Sequence, residues 1–321
     1  MNPSVKFGSL LAVVIGGTIS TSTSAETVLT RQQHAGWTDA IGMDNGTVEA
    51  LIVPSIGRVM QFRFKGGDDV FWENPVTLGG KMSPKPWDTP GSFGGDKTWP
   101  APQSQWNWPP PDVFDASPLT IEFIDQAVVL RSPVSPRFGI ETERRIKLGT
   151  RGAVMTIETT YSKKVGDPVE VGVWVITQAV EPEAAFLPIP SGSKFQNGLT
   201  TEWGNPAKME GVKMGDELIS ITRIPSAARK IGNDASSIVW VGKKTVLRID
   251  SPRIADANYP DDGCSAEIYT NNDPAKYIEI ETVGPLKKMK VGDQLSATNT
   301  YRLFKRTAAS ATEAARQALH Q

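Results

Sequence analysis

The segment KYIEIETVGP places Tyr277, Glu279 and Glu281 at alternate positions, with Ile278, Ile280 and Thr282 between them. In an extended chain successive side chains point to opposite faces, so two carboxylates and a phenol share one side. If that side lines a cleft, the carboxylates converge on whatever enters it and can serve as acid, base or hydrogen-bond acceptor. The same alternation describes a solvent-facing polar stripe, which is the commoner case. Other proton-transfer groups are scarce. The chain has only two histidines, His34 and His320, which argues against a Ser-His-Asp triad or a multi-histidine metal site. It contains no phosphate-binding glycine loop, dinucleotide fingerprint, nucleophile elbow or paired-cysteine zinc pattern. Acid–base chemistry therefore rests on carboxylates, with Lys, Tyr or His34 assisting, and no cofactor is called for. Asp261 and Asp262 are adjacent acids without a fuller ligand pattern; they read as an Asx turn rather than a metal site.

Aromatic residues form the second concentration of chemistry. Five of the nine tryptophans, Trp72, Trp87, Trp99, Trp106 and Trp108, fall between residues 72 and 108. An indole face carries negative π density and stacks on the C–H-rich face of a sugar ring. Asp96, Lys97, Gln103, Gln105 and Asn107 lie close by in sequence to hydrogen-bond hydroxyls. Residues 93–112, FGGDKTWPAPQSQWNWPPPD, hold three of these tryptophans and five prolines. Proline removes backbone donors and fixes φ, so this stretch reads as a stiff loop outside regular hydrogen-bonded structure, walling a ligand cleft. Rings packed on a sheet edge as a lid would give the same composition.

The elements that must position these residues are short apolar or alternating runs bounded by Gly, Pro, Asn or Asp, such as GAVMTIETTY, VEVGVWVITQ, SAEIYT and YIEIET. They follow one another without helical crossovers, which predicts an all-β fold of largely antiparallel strands in a two-sheet sandwich. One domain over 26–306 is expected, with 307–321, rich in Ala, Glu, Gln and Arg, as a helical or disordered tail. Two long connections, 179–217 and 251–264, read as irregular loops. Residues 1–25 show Lys6, an apolar run and a small-residue ending, the order of a cleaved signal peptide, so a periplasmic or secreted protein is expected. The apolar run is too short to span a bilayer, and no later segment is long enough. The net charge of −1, with no Lys/Arg cluster, argues against nucleic-acid binding. Cys264 is the only cysteine, so no internal disulfide is possible, and it reads as buried and inert. Oligomeric state is not legible.

Two segments resemble the galactose mutarotase (aldose 1-epimerase) superfamily. LIVPSIGRVMQFRFKGGDDVFWENP is similar to its opening strands around a Gly-Arg turn, and YIEIETVGPLKKMKVGDQLSATNTYRLF to its C-terminal signature. With GGDKTWPAPQ and WPPPD, the pattern looks like an uncharacterised bacterial branch of that superfamily. The resemblance implies a β-supersandwich with a saccharide or polysaccharide fragment on its concave face. It implies that Glu281 stands at the position of the catalytic base. Gln178, in VEVGVWVITQA, stands at the position of the acid, where the family carries histidine. Glutamine can hydrogen-bond a ring oxygen but cannot protonate it. A carbohydrate-binding protein is therefore the leading expectation, with an epimerase, lyase or hydrolase, or a structural module, as alternatives. Arg58, Asp96, Lys97, Trp99, Trp106, Trp108 and Glu279 are the expected saccharide contacts. If the signal reading holds, N-terminal sequencing of exported protein will begin at Glu26; a retained Met1 would refute it.

Overall fold

A computed structural model describes residues 26–80, 93–272 and 274–321; the expected signal segment and Trp87 lie outside the described residues. The strands in chain order are β1 (Val28–His34), β2 (Trp37–Asp44), β3 (Val48–Val53), β4 (Arg58–Phe64), β5 (Gly95–Ala101), β6 (Thr120–Ile124), β7 (Ala127–Arg131), β8 (Ile140–Leu148), β9 (Val154–Lys163) and β10 (Val169–Val180). They continue as β11 (Ala184–Pro188), β12 (Val212–Lys213), β13 (Leu218–Ile221), β14 (Arg229–Asn233), β15 (Ser237–Val241), β16 (Thr245–Asp250), β17 (Ala266–Thr270), β18 (Tyr277–Val283), β19 (Lys287–Met289) and β20 (Gln294–Lys305). Two antiparallel sheets result. The first runs β1-β2-β3-β4-β5-β10-β18-β17-β14, with β19 added beside β10; the second runs β12-β13-β11-β15-β16-β20-β9-β8-β7-β6. Inward-facing residues of both, including Ile41, Phe62, Ile157, Leu247, Ile280 and Tyr301, form the main core. Helix α1 (Asp112–Asp115) is a single turn, and α2 (Ala311–Leu319) seats Ala314, Ala315 and Ala318 on Phe186 and Val239 of the second sheet. Ser310 caps α2, its Oγ accepting from Glu313 N at 3.2 Å. The tail is thus a docked helix.

Two expectations are corrected. The 179–217 connection is not wholly irregular, because it contributes β11 and β12 to the second sheet. More consequential, the proline-rich stretch is not all loop: Gly95 to Ala101 is β5, paired with β10 along its whole length. Pro100 is tolerated there because its polar edge points away from β10. Its carbonyl accepts from Trp106 Nε1 at 2.7 Å, and β4 meets β5 only at Val59 opposite Asp96, so no ladder donor is missing. The glycines before it are obligatory: Gly94 has φ +92°, and a Cβ there would lie 2.0 Å from the Trp72 carbonyl oxygen.

Register sets which side chains share a face. Ile176 of β10 stands opposite both Lys97 and Glu281, Glu281 opposite Glu267, and Glu267 opposite Gly232. One step along, Gln178 stands opposite Glu279, Glu279 opposite Tyr269, and Tyr269 opposite Lys230. These two rows project from the outer face of the first sheet. Asp96, one residue from Lys97, projects between the sheets, where it accepts from Thr177 Oγ1 and Tyr301 Oη, each at 2.6 Å, and pairs with the Arg144 guanidinium. A charge this deep survives only if paired and hydrogen-bonded. Replacing Asp96 with Asn should leave Arg144 uncompensated and cost about 3–5 kcal/mol, measured by urea unfolding; a cost under about 1 kcal/mol would show that the network does not pin the sheets together.

Candidate functional site

Three carboxylates and a lysine occupy the middle of the outer face. Glu281, 1% exposed, accepts at Oε2 from Trp174 Nε1 at 2.9 Å and from Lys230 Nζ at 3.0 Å. The same Nζ lies 2.7 Å from Glu267 Oε2, a charge contact without hydrogen-bond alignment. It also stands 4.9 Å from the ring centroids of both Trp174 and Trp203, so the ammonium is held between two indoles and two carboxylates. Gly232 leaves room for this arrangement: a Cβ there would come within 3.0 Å of the Trp203 ring, Cys264 Sγ and Glu267. Burial works to discharge Lys230, but Glu267 and Glu281 outweigh it and raise its pKa. Lys230 is accordingly a fixed cation and a poor proton donor. Glu267 is pushed well above the carboxylate range, first by burial and further by Glu281, against the pull of Lys230.

Unlike Glu267 and Glu281, Glu279 is partly accessible. It accepts from Gln178 Nε2 at 2.8 Å, and its pKa is raised to about 7 by burial first and then by Glu281, while Lys97, Gln178 and Lys230 restrain it. Near neutrality it can therefore either give or take a proton.

A second charged corner adjoins β5. Asp115 Oδ1, presented by α1, accepts from Lys97 Nζ at 2.8 Å, Trp99 Nε1 at 2.9 Å and Arg58 Nη2 at 3.2 Å. Burial opposes its ionisation, but Lys97 and Arg58 prevail and bring its pKa down to about 2. Burial lowers the pKa of Lys97, whose Nζ lies 4.1 Å from the Trp99 centroid. Arg58 Nη1 also donates to Gly94 O at 2.7 Å, so this corner fixes the Gly-Gly turn that leads into β5.

The fold thus brings Arg58, Lys97, Trp99, Gln178, Glu279 and Glu281 to one face. Asp96 is not among them, because strand alternation turns it into the inter-sheet core. Trp99 and Trp106 are buried, edge to face at 5.5 Å, and Trp99 also meets Trp174 at 5.3 Å. Trp108 stands out at 63% exposed, 6.3 Å from Trp99. Trp72 stacks on Tyr277 at 4.4 Å. His34 is engaged with Glu73 at 2.7 Å. Asp261 and Asp262 lie in a turn closed by backbone bonds, with Thr200 Oγ1 donating to Asp262 Oδ2 at 2.8 Å. Among the described residues no cluster could hold a metal ion.

Sequence reasoning missed Asp115, Lys230, Glu267, Trp174 and Trp203. A signal existed for two of them: Trp174 shares parity with Gln178 in VGVWVITQ, and SAEIYT repeats the alternation of YIEIET around Glu267. The other three reach the face from distant segments.

The chain matches no protein-family model and no curated protein. Solved structures do match over most of its length. A candidate mutarotase from Salmonella typhimurium aligns with TM-score 0.55 at 13% identity, covering 87% of this chain and 94% of its own. A galactose mutarotase-like protein from Lactobacillus casei aligns with TM-score 0.54 at 10% identity, covering 83% and 100%. A galactose mutarotase related enzyme from Lactobacillus acidophilus gives 0.51 at 9% identity, covering 83% and 97%. The fold is that of the galactose mutarotase-like proteins. Within this mutarotase-like sandwich, the residue paired with Gln178 is Glu279, a carboxylate whose pKa is raised to about 7.

The raised pKa has a thermodynamic signature. A carboxyl that titrates at about 7 folded and 4.5 unfolded is protonated only in the fold between those values. Its contribution to stability is full below the lower value and is lost as pH rises through the upper one. The stability difference between wild type and Glu279→Gln, from urea unfolding at several pH values, should therefore shift against wild type across this window. A flat difference would show that Glu279 titrates as in the unfolded chain.

Proposed function

We propose that this is an exported carbohydrate-binding protein whose saccharide site is the outer face of the first sheet, between the Lys97–Asp115 corner and the Lys230 cluster. The observation that carries the reading is the concentration there of buried, mutually compensated charges alongside aromatic rings. Fixed acceptors and donors at that density suit vicinal hydroxyls, and the indole and phenol faces suit the apolar side of a sugar ring. The fold shared with mutarotase-like proteins supports the same class of ligand. A specific observation also favours a second reading, a carbohydrate-active enzyme: Glu279, titrating near 7, lies two residues along the same strand face from Glu281. In that case Glu279 would supply the proton that Gln178 cannot, and Glu281 would accept one. Binding is the better-supported role, because Glu281 Oε2 is already engaged by Trp174 and Lys230.

Glycan-array screening of the mature protein, followed by calorimetry on the best ligand, tests this. Glu281→Gln should lose roughly 1.5–3 kcal/mol of affinity, the worth of a hydrogen bond to a charged group. Trp108→Ala should lose about 0.5–1.5 kcal/mol with an unchanged melting temperature, since the ring is exposed and contributes little to the core. Undiminished affinity in both variants would remove the ligand from this face. Turnover of the bound sugar, abolished in Glu279→Gln with binding retained, would replace the binding reading with the enzymatic one.

A further inference from the structure

The outer-face residues span five adjacent strands, β5, β10, β18, β17 and β14, a width of about 19 Å at the usual strand spacing. That is several pyranose rings across, and the face does not end at the carboxylates. Beyond Lys230 and Tyr269 it opens into a cavity of about 540 Å³ at the β14 edge, where Trp203, Asn205, Lys208 and Arg229 complete the polar and aromatic lining. This cavity differs in charge from the centre of the face. Lys208, Arg229 and Lys230 line it and no carboxylate does; Glu267 and Glu281, which pair with Lys230, are not among its lining residues. Lys208 is exposed, and among the described residues it makes no ion pair. Arg229 donates through Nη1 to the Ala228 carbonyl at 3.0 Å, while its Nε is buried with no acceptor.

We infer that the β14-edge cavity is a subsite for an acidic sugar unit, so that the ligand is an anionic oligosaccharide lying across the sheet. Trp203 and Tyr269 offer ring faces for the sugar, Asn205 a hydroxyl partner, and Lys208 with Arg229 the counter-charge for a carboxylate or sulfate substituent. The carboxylate-rich centre would hold a neighbouring unit through its hydroxyls, because a second anion there would meet Glu279 and Glu281. The inference rests on the saccharide reading above and adds to it a chain length and a charge.

The test compares calorimetric affinities for three probes: a galacturonic acid trisaccharide, the same trisaccharide with its carboxyl groups reduced to alcohols, and a sulfated galactose trisaccharide. At least one anionic probe should bind ten or more times tighter than the reduced one, and the preference should shrink as salt is raised from 50 to about 500 mM. Preference for the carboxylated or the sulfated probe identifies which anion the cavity takes. Lys208→Ala, at an exposed position, should cut the preference at least threefold, and Arg229→Gln should cut it further. A preference that neither change reduces overturns the assignment to this cavity. Equal binding of all three probes overturns the acidic-unit inference while leaving the saccharide reading standing. Binding of none, with mono- and oligosaccharides also silent on the array, overturns both.

Discussion

The register of β10 between β5 and β18 is the constraint on which the candidate site depends. Ile176 is aligned with Lys97 on one side and Glu281 on the other, and Gln178 with Glu279. Because strand side chains alternate, a slip of one residue would exchange the whole outer row for the inner one, sending Glu279 and Glu281 into the apolar core and Ile278 and Ile280 out. The inner row resists that exchange twice over. Its isoleucines belong to the main core, and Asp96 is tied to Thr177 of β10 and to Arg144 and Tyr301 of the other sheet. A polar network buried between two sheets is costly when incomplete, so it favours the one register that completes it.

Charge compensation is the second organising fact. On the outer face Asp115 answers Arg58 and Lys97, while Lys230 answers Glu267 and Glu281. Four carboxylates, counting Glu279, therefore share three cations. Glu267, which shares Lys230 with Glu281, and Glu279, which makes no ion pair among the described residues, are the groups whose pKa values burial and Glu281 push upward. Such a face is preorganised, as the proposed saccharide site requires: its charges are held by one another, so little reorganisation would be needed on binding.

The proline-rich segment serves the same end by different means. It contributes a sheet strand, then folds back so that Trp106 reaches Pro100 and α1 delivers Asp115 to Lys97 and Trp99. Its buried tryptophans brace the strand that carries Lys97, and Trp108 alone of the three extends into solvent. Buried and exposed positions are thus divided among neighbouring rings by where each meets the sheet.

Much of this was legible in the residues. Period-two alternation determined that Tyr277, Glu279 and Glu281 share a face, and the run of short strands without crossovers determined an antiparallel sandwich, because side-chain direction follows from local geometry. The strand at Gly95–Ala101 was not legible, since proline's ladder penalty depends on whether a neighbour needs its missing donor, and that neighbour lies elsewhere in the chain. Asp96 and Lys97 were indistinguishable as sequence; only pairing with β10 decided which faced the core. Lys230, Glu267, Trp203 and Asp115 come from segments up to 152 positions apart, and no local pattern links them. The sequence by itself determined the alternation within each strand. Which strands lie side by side, and hence which charges must compensate one another in a medium of low dielectric, was decided by the tertiary structure, because electrostatic partners are selected by distance in space and not along the chain.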